Sequence, residues 1–121
     1  MVTDQEHLNN LVAAAFGREM EIYHYQINVD NYSTMLAALP TDAWPDDLLP
    51  YKEAAIDRLP ESLSDEVINT ISEYQYRDRI KNLLRTEKVE QSKTVRVRDA
   101  LKSQIGADYD ALIAAYKAQN T

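Results

Sequence analysis

The sequence predicts an all-α fold. Its plan is a long antiparallel helical hairpin (about 4–39 and 64–105), a Pro-rich connector carrying a short helix, and a short C-terminal helix, with oligomerisation completing a bundle. Three observations lead there. Leu8, Leu11, Ala15, Arg18, Ile22, Tyr25, Val29, Tyr32, Leu36 and Leu39 alternate three and four residues apart, the seam of a helix lying along another helix. Ala, Leu, Gln, Glu, Lys and Arg, the good helix formers, are abundant. Two glycines and four prolines in 121 residues are too few for a β-rich or loop-rich chain. That length forms one domain, 1–121, large enough to bury a core without disulfides or metal.

The first helix starts where Thr3-Asp4-Gln5-Glu6 fits a capping box, and stops at Pro40 after about 54 Å at 1.5 Å per residue. Gly17 lies inside it, costing roughly 1 kcal/mol relative to alanine. With Ala13, Ala14 and Ala15 it makes a small-residue patch where another helix approaches closely or the helix kinks.

The connector, 40–63, holds Pro40, Pro45, Pro50 and Pro60 and is expected to be ordered, with a short helix over about Tyr51–Leu59. Trp44, Leu48, Leu49 and Ile56 are expected to plug the end of the bundle. Its acids, including Asp42, Asp46, Asp47, Glu53, Asp57 and Glu61, make a solubilising surface or one that imitates a phosphate backbone.

The second helix starts at Ser64, with Asp65 and Glu66 in the favourable first turn, and ends at Gly106. Its seam reads Tyr76, Ile80, Leu83, Glu87, Glu90, Thr94, Val97 and Leu101. Val67, Ile71 and Tyr74 point elsewhere, which predicts a stutter or bend near 74–76. Setting Ile22 opposite Leu83 pairs Leu8 with Val97, Leu11 with Thr94, Tyr25 with Ile80 and Val29 with Tyr76. It also sets Leu39 beside Glu66, and Arg18 opposite Glu87 with Glu90 near, a structural ion pair that specifies register. The C-terminal segment, 107–121, carries Tyr109, Leu112, Ile113 and Tyr116 on one helical face and returns along the first helix, with Ala114-Ala115 meeting the patch at Gly17.

Charge is uneven: −4 over 1–39, −6 over 40–66, +4 over 67–105 and −1 over 106–121. The net −7 argues against nucleic acid as a partner. The nine bases of the second helix, Arg77 to Lys102, are interleaved with Asp78, Glu87, Glu90 and Asp99 and read as a solvated, ion-paired face. No cysteine is present, which excludes thiolate catalysis, disulfides and zinc-thiolate sites. There is no apolar run of membrane-spanning length and no signal-peptide pattern, so a cytoplasmic-type location is expected, with a virion as an alternative.

Glu21 and His24, spaced as Glu-x-x-His on one helix face, are the candidate metal ligands. One chain cannot complete a di-iron pattern with two histidines, so neither a metal nor any other cofactor is expected. With no nucleophile elbow and no Gly-rich phosphate loop, enzymatic activity is not expected. Val12, Phe16, Tyr23, Leu84, Val89 and Val95 lie off the seam and are the candidate interface. The expected function is a non-enzymatic structural or assembly protein, acting through helix faces with itself or another protein, as in viral and phage assembly. An acidic regulator that occupies a basic groove of a nucleic-acid-binding protein, and a metal-binding bundle, are the alternatives.

Overall fold

A computed structural model describes residues 4–39 and 43–120. The described residues form an all-α helical hairpin without strands: α1 (Asp4–Ala37), two 3-10 helices (Asp46–Tyr51 and Ile56–Arg58), α2 (Asp65–Ile105) and α3 (Tyr109–Gln119). Thr3 and Pro40, the expected cap and stop of the first helix, lie outside the described residues. The last turn of α1 tightens, with the amides of Ala38 and Leu39 donating to the carbonyls of Met35 and Leu36.

Helix ends follow local chemistry. The Val67 amide donates to Ser64 Oγ at 3.3 Å, so Ser64 caps α2 as its sequence position implies. Gly106, at φ +93°, ends α2, and its amide donates to the Lys102 carbonyl at 2.9 Å. All ten residues of the expected α1 seam are buried or half-buried.

The chain divides into two compact units, Met1–Asn28 with Glu87–Thr121, and Val29–Thr86. In the second, Trp44, Leu48 and Ile71 form the core, and Tyr51, Leu59, Leu63, Val67 and Tyr74 pack around it. The side-chain amide of Gln75 on α2 donates to the carbonyls of Ala54 (2.7 Å) and Tyr51 (3.1 Å), fixing the connector's course. The expected helix over Tyr51–Leu59 does not form. Pro60 drives Leu59 into extended backbone (φ −70°, ψ 148°), and Ala55 is extended too, so only short 3-10 turns fit between the prolines. Leu49 and Ile56 are exposed rather than plugging the core; Tyr51, Leu59 and Leu63 fill those roles.

In the first unit, Val12, Ala15, Thr94 and Tyr109 are buried. Thr94 is accommodated because its hydroxyl donates to the Glu90 carbonyl one turn back. Leu112, Ala115, Tyr116 and Gln119 of α3 lie beside Asn9 and Val12 of α1. The Phe16 and Tyr116 rings stand 5.1 Å apart, so α3 covers α1 from Asn9 to about Glu19. Gly17 does not receive Ala114-Ala115: a Cβ built on it meets nothing within 4 Å.

α2 is unbroken through 74–76, but its buried face shifts there. Val67, Ile71, Tyr74, Arg77, Ile80, Leu84, Glu87, Gln91, Thr94, Arg98, Leu101 and Ile105 are all buried or half-buried, and the three successive steps of three from Ile71 to Ile80 carry the buried face about half a turn around the helix, the shift expected near 74–76. Arg77 and Arg98 hold the places expected for Tyr76 and Val97, which are exposed. An arginine stem lies along apolar surface while its head finds polar partners, so a charged side chain can occupy a helix seam.

Candidate functional site: polar layers and the outer face of α1

The polar layers of the first unit fix its register. Gln91 donates to Gln26 Oε1 (2.8 Å) and toward the Ile22 carbonyl (3.4 Å), and Asn28 donates toward Glu87 Oε2 (3.4 Å). Arg98 pairs with Glu19 at 3.0 Å. With Ile22 opposite Leu83, Asn28 would oppose Arg77 and Glu19 would oppose Thr86. Glu87 and Arg98 stand there instead, so α2 is displaced by about ten residues, or ~15 Å. A three-four seam repeats every seven or eleven residues, so the pattern alone admits several registers. The connector packs on Val67, Ile71 and Tyr74 in the first turns of α2.

The ion pair expected between Arg18 and Glu87 or Glu90 is therefore corrected. Arg18 pairs with Glu21 at 3.0 Å on the surface, Glu87 meets Asn28, and Glu90 pairs with Lys93 at 3.1 Å. Glu21 is thus engaged with arginine, and His24 stands edge-on to Tyr23 with ring centroids 5.8 Å apart. Among the described residues no three His, Cys, Asp or Glu side chains cluster to hold a metal.

The most connected polar group is Glu19, Arg98 and Tyr109. One oxygen of Glu19 accepts from Arg98 Nη1 at 3.0 Å and from the Tyr109 hydroxyl at 2.7 Å. Arg98 Nε donates to Asp99 at 2.8 Å, and Lys102 Nζ stands 5.3 Å over the Tyr109 ring. Burial raises the Glu19 carboxyl, but the hydrogen bonds from Tyr109 and Arg98 and the charges of Arg98 and Lys102 outweigh it, leaving it below its ordinary value. Burial, then the bond to Glu19 and its charge, push the Tyr109 hydroxyl well above its ordinary range. The Glu19 bond, against the opposing effect of burial, strengthens the hold of Arg98 on its proton. Glu19 is held ionised and Tyr109 protonated, an arrangement that positions α3 rather than readying a proton for transfer.

The second unit has its own polar cluster. The Trp44 indole N–H donates to Asp78 Oδ2 at 2.7 Å; Arg77 (3.6 Å) and Lys52 (4.0 Å) neutralise that carboxylate. The Arg77 guanidinium lies 5.3 Å over the Tyr74 ring, which also packs against Trp44 at 5.1 Å. An open groove beside it is lined by Lys52, Ala54, Gln75, Asp78, Arg79 and Lys81.

The six candidate interface residues separate by environment. Val12 is buried and Phe16 half-buried under α3; Leu84 and Val95 are half-buried. Tyr23 (60%) and Val89 (46%) are exposed, and Met20 and Ile27, outside the six, join Tyr23 on the outer side of α1. Their three- and four-residue spacing carried the signal. Glu19, Arg98 and Asp78 were not legible as a site, because their partners are distant in sequence. No family model matches the chain, and no characterised protein or solved structure matches it either.

Proposed function

We propose that this is a non-enzymatic structural or assembly protein that works by pairing helix faces in a homo-oligomer or larger complex, a virion or phage particle among them. The observation that carries the reading is the apolar flank of α1, which outruns its cover. α3 shields Val12 and Phe16, while Met20, Tyr23 and Ile27 on the following two turns are 39%, 60% and 39% exposed. Three large apolar side chains at helical spacing on one face are the usual basis of a helix-in-groove or helix-on-helix contact.

Light scattering coupled to size-exclusion chromatography tests this. The expected result is an oligomer whose mass falls to that of the monomer in Tyr23→Lys, with helicity unchanged because Tyr23 is exposed. A chain that is monomeric at every concentration, and whose Tyr23→Lys variant matches it in all association measurements, overturns the homo-oligomeric form.

A further inference from the structure

We propose that the outer face of α1 pairs with the same face of a second copy, antiparallel and centred on Met20. This deepens the assembly reading and rests on it. Opposite the α2-facing seam, Ala13, Gly17, Met20, His24 and Ile27 step by four, three, four and three, a second helix-packing seam on the same helix. No Asp, Glu, Lys or Arg falls among them, although α1 carries acids on its other faces.

The seam is graded in size. Its N-terminal half is Ala13 and Gly17, with open space around Gly17, and its C-terminal half is His24 and Ile27, flanked by exposed Tyr23. A graded seam packs well on itself only when reversed, so that each bulky half fills the other copy's shallow half. A twofold axis at Met20 does this. Ala13 then faces Ile27 of the second copy, Gly17 faces His24 and Tyr23, and Met20 faces Met20. Contact across a glycine also lets two helix backbones approach closely.

The arrangement continues an interface already present within the chain. α3 covers the flank of α1 through the Phe16–Tyr116 contact and ends at Glu19 with Tyr109, one turn before Tyr23. Reversal about Met20 brings the second copy's Phe16–Tyr116 edge beside Tyr23, so the aromatic cover runs on from one copy to the other. The pairing is isologous and closes at two copies.

The chain has no cysteine, so single cysteines report the geometry directly. A disulfide requires Cα atoms roughly 4.4–6.8 Å apart, which helices meeting at Met20 satisfy. Under mild oxidation Met20→Cys is expected to convert most of the protein to covalent dimer. Ala13→Cys mixed with Ile27→Cys is expected to give mainly the mixed dimer, with either variant alone near background. An oligomer by light scattering whose Met20→Cys copies stay unlinked overturns this pairing while leaving the assembly reading in place. A monomer overturns both the pairing and the homo-oligomeric form of that reading. Circular dichroism of each reduced variant confirms that the helices are intact before the cross-linking result is scored.

Discussion

The Tyr109 hydroxyl donates to the Glu19 carboxylate at 2.7 Å, tying the first turn of α3 to the middle of α1 across ninety positions of sequence. Tyr109 is buried while Glu19 keeps 31% of its side chain exposed, so the bond is part-buried, and its acceptor is also held by Arg98. Tyr109→Phe is expected to cost about 1.5–3 kcal/mol, the range for a hydrogen bond to a charged group. A double-mutant cycle with Glu19→Gln should give a coupling of ~1 kcal/mol. Simple additivity in urea unfolding would show that the bond does not contribute.

The same pair makes stability depend on pH at both extremes. Glu19 has a folded value below its ordinary 4.5, so its stabilisation is present above that pH and is lost as pH falls through the lower folded value. Tyr109 has a folded value above its ordinary 10, so the folded state holds the proton more tightly. Its contribution is full below 10 and is lost as pH rises beyond it. Urea midpoints measured across pH should therefore fall at both ends. Glu19→Gln should flatten the acid limb, and Tyr109→Phe the alkaline limb; unchanged limbs would refute the assignment.

Ile71 is wholly buried against Trp44 and Leu48. Ile71→Ala removes three carbons from that core, and a cost of about 2–4 kcal/mol is expected. Trp44 is the chain's only tryptophan and lies in the same cluster, so its fluorescence follows this core directly. A midpoint unchanged by the substitution would mean that Ile71 is not packed as described.

Arg18→Leu should alter stability by no more than ~0.5 kcal/mol, because Arg18 and Glu21 pair on the surface with 42% and 47% of their side chains exposed. Had Arg18 faced Glu87 in the seam, the same change would strand a buried carboxylate at several times that cost. Thermal unfolding of the single variant separates the two arrangements.

That contrast shows which parts of the fold were legible. The α1 seam could be read because its apolar residues stand out against polar neighbours. The ends of α2 could be read because Ser64 and Gly106 act through bonds to their own neighbours. Along α2 apolarity favours Tyr76 over Arg77 and Val97 over Arg98, yet both times the arginine takes the seam. Arg77 is settled by the Tyr74 ring and Asp78, and Arg98 by Glu19, partners that hydropathy does not weigh. Register is illegible for a different reason: a repeating seam is nearly degenerate, and the polar pairs that fix it, Gln91 with Gln26 and Arg98 with Glu19, are ones that hydropathy does not weigh.

The two glycines should respond in opposite ways to alanine. Gly106 has φ +93°, in the left-handed region where a Cβ is strained, so Gly106→Ala should destabilise by about 1–2 kcal/mol. It sits between Ile105, the last residue of α2, and α3, so the loss should show as faster amide exchange in α3. Gly17 lies mid-helix with nothing within 4 Å of an added Cβ, so Gly17→Ala should stabilise the isolated chain by roughly 0.5–1 kcal/mol. Because Gly17 also faces the second copy in the proposed pairing, a bulkier Gly17→Leu should keep the helix yet weaken association. Urea unfolding at high dilution and light scattering at high concentration measure these two effects separately. A Gly17→Leu variant that associates as tightly as the parent chain would place the contact on another face.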